Sequence, residues 1–192
     1  MTGPPDCLAP AAVTWRDGVL RSVHFDDIYH SPADGPGETR HVFIAGNRLP
    51  ERWQSLRAGE GFVIGETGFG SGLNFLVAAS LWLTSTPETA VLHYVSAEKY
   101  PLARGDFEQA LAQWPTFAAL AAELARGDPP PIPGCHRLAL AGGRIQLTLL
   151  LGDAVAMLNQ LRDHPSVSHP AEPKIDAWFL DGFAPARNPD MW

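Results

Sequence analysis

Residues 65–76 read GETGFGSGLNFL and follow the apolar run Phe62, Val63 and Ile64. Strand, acid, glycine loop and apolar helix succeed one another within about fifteen residues, the order in which a parallel α/β sheet hands a ligand from a strand tip to a helix N-terminus. Gly68, Gly70 and Gly72 alternate, so the backbone can turn tightly and a ligand can approach without meeting a Cβ. Beyond them Leu73, Leu76, Val77, Leu81 and Leu83 predict a helix over 72–83 buried against the sheet.

The remaining chain supplies partners for this unit. Apolar residues make up 45% of the 192, enough for a sizeable single core. No apolar run is long enough to cross a bilayer, and no basic-then-apolar leader opens the chain, so a cytoplasmic protein is expected. Cys7 and Cys135 fit neither a disulfide framework nor a zinc site, and no metal centre is expected. The formal charge of −7 argues against a stand-alone nucleic-acid binder, though an acidic chain can carry a basic patch. Prolines concentrate at the N-terminus and at 32–36, 129–133 and 165–173, the candidate loops.

In chain order, 13–23 reads as a hairpin about Asp17-Gly18. Segment 25–47 mixes acids, aromatics and histidine with apolar residues and reads as a lid over the glycine loop, with a short helix over 38–45 ending at Gly46. Core strands are predicted at 62–65, 91–97 and 175–180. A two-piece helix spans 102–126, broken at Pro115. Residues 138–140 and 144–151 form a hairpin about Gly142-Gly143, and 154–161 a helix. This alternation predicts a doubly wound, Rossmann-like α/β sheet over 61–192, preceded by a hairpin and lid over 1–60. Right-handed crossovers then place Glu66, Glu98, Asp153 and Asp181 on one rim.

Two cofactors compete for the loop. A nicotinamide dinucleotide fingerprint has a glycine at its sixth position, where this chain has Leu73, and Glu66 would repel a pyrophosphate. The same acid suits a ligand bearing an ammonium or sulfonium, such as S-adenosylmethionine. On that reading Glu66 and the loop face the methionine portion, Glu98 accepts from ribose hydroxyls and Asp153 lies near the adenine. Glu98 serves either cofactor.

The run DAWFLDGFAPARNPDMW sets Asp181 at a strand tip before a loop stiffened by Pro185 and Pro189. A carboxylate so held suits methyl transfer to an amine. An alkylamine with a pKa of about 10.4 is protonated at neutral pH, and freeing its lone pair costs on the order of 4–5 kcal/mol. A carboxylate can orient the amine and take its proton. A capping role for Asp181 is the plainer alternative.

GETRHVFIAGN, GETGFGSGLNFL with SAEKYPL, PGCHRL, and DAWFLDGFAPARNPDMW together resemble the methyltransferase part of the MnmC family, over roughly residues 13–192. The resemblance implies a Rossmann-like S-adenosylmethionine-dependent methyltransferase fold. It also implies methylation of the aminomethyl group of 5-aminomethyl-2-thiouridine at the tRNA wobble position. It places Glu66, Gly68, Gly70, Gly72, Asn74, Glu98 and Asp153 at the methyl donor and Asp181 at the acceptor amine. Phe25, Tyr29, Glu38, Arg40 and Asn47 match the family's lid segment. Arg187 is the candidate phosphate contact. His30 and Ser71 stand where the family often has an aromatic residue and Thr, and His30 reads as a packed or loop histidine rather than a base. Full-length members carry a C-terminal FAD-dependent oxidase, for which this chain shows no second glycine-rich loop. The family also continues past the position of Trp192 with further strands, so the expectation is a sheet lacking its C-terminal strands, its 175–180 strand exposed at an edge. Three readings stay open: the tRNA methyltransferase, a nicotinamide-dependent oxidoreductase and a truncated, non-catalytic cofactor-binding module.

Overall fold

The computed structural model describes residues 7–163 and 174–191. The first six residues and the proline-containing stretch 165–173, both read as loops, lie outside them. The chain opens with β1 (Val13–Arg16), β2 (Val19–Ser22) and β3 (Asp27–Ile28), a small antiparallel sheet. The β1–β2 turn is left-handed at Asp17 (φ 51°) and Gly18 (φ 76°), as the Asp-Gly signal requires. Next come α1 (Gly35–Thr39), α2 (Leu49–Gln54), β4 (Gly61–Thr67), α3 (Leu73–Ser85) and β5 (Val91–Glu98). The second half contributes α4 (Arg104–Ala112), α5 (Ala118–Gly127), β6 (Gly134–Leu140), β7 (Ile145–Leu151), α6 (Ala154–Asp163) and β8 (Ala177–Leu180).

The main sheet has the order β6-β7-β5-β4-β8. β4, β5, β7 and β8 are parallel, and β6 returns antiparallel on β7. Two-sided burial follows from the period-2 alternation of side chains. On one face Ile64, Leu92, Tyr94, Leu147 and Phe179 join the core formed with α3 and α5. On the other, Ala97 and Leu150 pack with Met157 of α6 in a separate cluster. The chain steps from β4 to β5 to β7 in one direction, then jumps back to place β8 on the far side of β4. Strand order therefore reverses between β4 and β8, and ligands in open α/β sheets bind at such a reversal.

The lid segment differs from expectation in one respect. The helix read over 38–45 is split: α1 ends at Thr39 and a π-helical turn, Arg40–Ala45, takes over. Gly46 is right-handed (φ −56°) rather than a left-handed cap, and Arg48 (φ 53°) makes the reversal instead. The start of α1 is as the sequence permits, with the Asp34 carboxylate accepting from the Gly37 amide at 2.8 Å. At the other end of the sheet, β8 is an edge strand. Its outer-face residues Trp178 and Leu180 are 39% and 58% exposed. Among the described residues no helix is long and apolar enough to cross a membrane.

Residues 44–53 are built into the main core. Ile44, Leu49 and Trp53 are buried there, and the Trp53 ring lies edge-on to Trp82 at 5.2 Å. Trp53→Ala is therefore expected to destabilise the whole fold by about 3–5 kcal/mol. Val155→Ala, at a position 70% exposed, should change stability by no more than about 0.5 kcal/mol. Urea unfolding of the two variants beside the parent measures both.

Candidate active site

At the strand-order reversal the tips of β4 and β8 are tied together. The Thr67 hydroxyl donates to the Asp181 carbonyl at 3.0 Å. Gly68 follows with φ 83°, and a Cβ there would lie 3.2 Å from that same carbonyl oxygen, so this position requires glycine. Gly68 and Phe69 donate their amides to the Ala97 carbonyl at the tip of β5 (2.9 and 3.3 Å). Gly70 (φ 53°) runs under the Tyr29 ring, whose Cδ1 is 3.3 Å from where a Cβ would sit. The 25–39 stretch thus closes over the glycine loop. Between them lies one cavity of about 1050 Å³. That is the upper end of the range for small-molecule sites and large enough for a cofactor and a second ligand together.

Three of the four acids read as rim carboxylates line this cavity: Glu98, Asp153 and Asp181. Glu98, half-buried at the end of β5, accepts from the Gly70 amide at 2.8 Å and the Tyr100 amide at 2.7 Å. Burial raises its pKa and those amides oppose the rise. A carboxylate has about four acceptor positions, so these backbone donors, with Lys99 a third, leave acceptor capacity for a ligand. Asp153 is exposed; it caps α6 through the Ala156 amide at 3.3 Å, which lowers its pKa, and pairs with Lys99 at 3.4 Å.

Asp181 receives the Asn74 amide at 2.6 Å on one oxygen and the Gly182 amide at 2.8 Å on the other. Burial raises its pKa, those two donors lower it, and Glu38 raises it further. Asn74 in turn accepts from the Thr39 hydroxyl at 2.7 Å. Thr39 was not singled out from the sequence. It sits between Glu38 and Arg40, and nothing in its pattern shows that it faces inward.

Glu66 departs from its expected place. It is 2% exposed and lies behind the cavity wall, one oxygen accepting from Ser96 at 2.7 Å, with the Tyr94 and Asn74 side chains also acting on the carboxyl. The reason is strand phase: Glu66 is the sixth residue of the seven in β4 and points into the sheet's covered face, whereas Glu98 closes β5 at its last residue. Burial, above all, raises its pKa to about 8 despite the Ser96 hydrogen bond, with the Asp181 charge adding to the rise. Glu66 is therefore largely protonated at neutral pH.

Of the lid residues, Phe25, Tyr29 and Glu38 line the cavity. Phe25 stacks on Phe183 at 4.7 Å, and Tyr29 meets the same ring edge-on at 5.1 Å. Phe183, His24 and Tyr100 complete an aromatic group at the mouth that residue types alone did not reveal. Arg40 instead borders a separate groove with Ile44 and Leu81. Asn47 is structural, donating to the Phe43 and Trp178 carbonyls at 3.0 and 3.2 Å. Arg187 is engaged by Asp26 at 2.8 Å, which clips the loop after β8 to the N-terminal sheet. His30 packs edge-on against Trp114, and burial lowers its pKa. No cluster able to hold a metal ion occurs among the described residues.

A family profile described as S-adenosyl-L-methionine-dependent methyltransferase matches residues 105–192. Across nearly the whole chain the sequence is similar to proteins named tRNA 5-methylaminomethyl-2-thiouridine biosynthesis bifunctional protein MnmC. It is 49% identical to that of Marinobacter nauticus over 98% of this chain and 29% of the relative. For Pseudomonas fluorescens the values are 51%, 96% and 27%. The chain belongs to the MnmC family. It spans less than a third of the length of these MnmC relatives. A solved structure described as MNMC2 from Aquifex aeolicus superposes with a TM-score of 0.65 at 22% identity, over 96% of this chain and 53% of that one, a likeness of fold.

The raised pKa of Glu66 has a thermodynamic consequence. Between about pH 4.5 and pH 8 the folded chain holds a proton that the unfolded chain releases, so stability falls as pH rises through that window. Glu66→Gln, which mimics the protonated side chain, is expected to raise the melting temperature by several degrees at pH 8 and by progressively less toward pH 5. Calorimetric melts at the two pH values check this.

Proposed function

We propose that this chain binds S-adenosylmethionine in the cavity above the glycine loop and transfers its methyl group to an amine presented to Asp181. The acceptor is the aminomethyl nitrogen of 5-aminomethyl-2-thiouridine at the tRNA wobble position, and the product is 5-methylaminomethyl-2-thiouridine. The observation that carries the reading is the placement of Asp181. It is a half-buried carboxylate at the strand-order reversal, fixed on both oxygens by Asn74 and Gly182 and opening on the cavity that the glycine loop floors.

The residues present fit a cationic donor. Glu98, Asp153 and Asp181 give the cavity an acidic lining, and the backbone at Gly68 and Gly70 leaves no Cβ in the way. When bound, the donor supplies an electrophilic methyl group. Glu98 has acceptor capacity left for hydroxyls, while its hydrogen bond to Gly70 holds the loop in shape. Asp181 orients the neutral amine and takes the proton that the nitrogen sheds as the nitrogen–carbon bond forms and the carbon–sulfur bond breaks, and positioning in the cavity lowers the rest of the barrier. Burial raises the pKa of Asp181 from its ordinary value, bringing this base closer to the pKa of the amine it serves. Glu66 supports the site from behind rather than touching the donor. The aromatic group of Phe25, Tyr29, Tyr100 and Phe183 offers π-faces at the mouth, where a splayed-out base can stack.

This reading draws on the names of the MnmC relatives for its tRNA acceptor. Their bifunctionality is a property of chains more than three times as long. A flavin-dependent oxidase partner and a cytoplasmic location belong to the same proposal.

Asp181→Asn keeps the shape of the side chain and removes its basicity. Transfer of labelled methyl to undermodified tRNA is expected to fall by about 10²–10⁴-fold, with donor affinity within a few-fold of the parent. Glu98→Ala should weaken donor binding by an order of magnitude or more, read by calorimetry with S-adenosylhomocysteine. Equal loss of donor binding in both variants would overturn this division of roles. Thermal stabilisation by a nicotinamide dinucleotide, with none by S-adenosylhomocysteine, would sink the methyltransferase reading altogether.

A further inference from the structure

We infer that Thr39 and Asn74 act as a positioning pair, joining helix α1 of the lid to the Asp181 carboxylate through a chain of hydrogen bonds whose direction reverses with the state of Asp181. The inference deepens the proposed role of Asp181 and rests on it for its catalytic meaning.

Thr39 is 3% exposed, and its hydroxyl carries one proton with two acceptors in reach, Asn74 Oδ1 at 2.7 Å and the Gly35 carbonyl at 3.2 Å. Beyond it, Asn74 Nδ2 lies 2.6 Å from Asp181 Oδ2. With Asp181 ionised, one order of donors satisfies every atom: Thr39 donates to Asn74, and Asn74 donates to Asp181. Turning the amide over would set Asn74 Oδ1 at 2.6 Å from Asp181 Oδ2, two acceptors with no proton between them. That arrangement becomes the favourable one once Asp181 has taken a proton. Asp181 then donates to Asn74 Oδ1, the Asn74 amide donates to the Thr39 oxygen, and the Thr39 proton swings to the Gly35 carbonyl in the first turn of α1. Apart from the half-turn of the Asn74 amide, the heavy atoms need not move. Protonation at the site is thereby felt inside the lid.

The setting makes the pair matter. Among the described residues, Glu66 from β4, Glu38 from α1 and Tyr94 from β5 interact electrostatically with Asp181 and none of these three is a cation, while Lys99, which lines the same cavity, pairs with Asp153. Apart from the Gly182 amide in its own backbone, the Asn74 amide is the donor that favours the ionised form. The Thr39 hydroxyl favours that orientation of the amide, because its bond to Asn74 Oδ1 at 2.7 Å is shorter than the 3.2 Å bond to the Gly35 carbonyl that the reversed order requires. Thr39→Val is nearly isosteric and leaves Asn74 free to turn. With that support weakened, the pKa of Asp181 rises and the acid limb of the rate profile moves to higher pH.

The decisive measurement is the carboxyl carbon-13 titration of Asp181 by NMR in the parent, Thr39→Val and Thr39→Ser chains. The expected result is a midpoint raised by about half a pH unit or more in Thr39→Val and restored in Thr39→Ser, which keeps the hydroxyl. Methyl-transfer kinetics should show kcat roughly tenfold lower in Thr39→Val at neutral pH, with the KM for the donor unchanged. An unmoved midpoint in Thr39→Val, or one moved equally in Thr39→Ser, overturns the inference. Should Thr39→Val not fold, Asn74→Ala puts the same question to the Asp181 midpoint, and no shift there overturns the inference equally. A parent chain that methylates no amine would refute the proposed function, and the titration would still decide whether the pair exists.

Discussion

The hydrogen bond from Asn74 to Asp181 crosses the point at which the strand order of the sheet reverses. Asn74 lies in the first turn of α3, fed by β4, while Asp181 follows β8, which reaches the same place only after the chain has crossed the whole sheet. For the two to meet at 2.6 Å, β4 and β8 must be neighbours in the observed register, Thr67 opposite Leu180. The Thr67 hydroxyl bond to the Asp181 carbonyl holds that register at its end. The close approach of Gly68 to the same carbonyl leaves no room for a side chain. Loop geometry, strand pairing and carboxylate placement are thus a single constraint seen from three sides.

That constraint also explains why a buried acid lies behind the cavity wall. Glu66 lies one residue before Thr67 on β4, and the parallel register places it opposite Phe179 on one side and Ser96 on the other. Ser96 satisfies one of its oxygens. The like charge of Asp181 and the loss of water make the neutral form the stable one near neutrality. A neutral Glu66 has a proton to donate and adds little to the repulsion around Asp181. Of the two acids that sit close together there, Glu66 is the one held without charge.

Much of this was legible in the sequence because the features concerned are local. The glycine alternation, the Asp-Gly hairpin, the break at Pro115 and the acids at the ends of β5, β7 and β8 each follow from a few consecutive residues. Glu66 was misplaced by a single step of strand phase, since apolar periodicity locates a strand but leaves its last residue uncertain. Arg187 and Asn47 look free in sequence, and their partners Asp26 and the Trp178 carbonyl lie more than a hundred residues away. Thr39 was invisible for the same reason. Its significance comes from a residue 35 positions later, and only the packing of α1 against α3 brings the two together.

The π-helical turn of the lid is the clearest case of tertiary structure overriding local pattern. Residues 38–45 read as an ordinary helix, yet the segment is tethered at both ends to different elements: at Thr39 to α3, and at Asn47 to the Trp178 carbonyl of β8. Between those tethers Phe43 stacks on Phe179 at 4.9 Å and Ile44 is buried in the main core, while Val42 borders the cavity and stays 49% exposed. Wider turns of this kind occur mostly as single insertions near functional sites. The lid is therefore shaped by what it must touch at its two ends, and the first of those ends is the residue that orients Asn74.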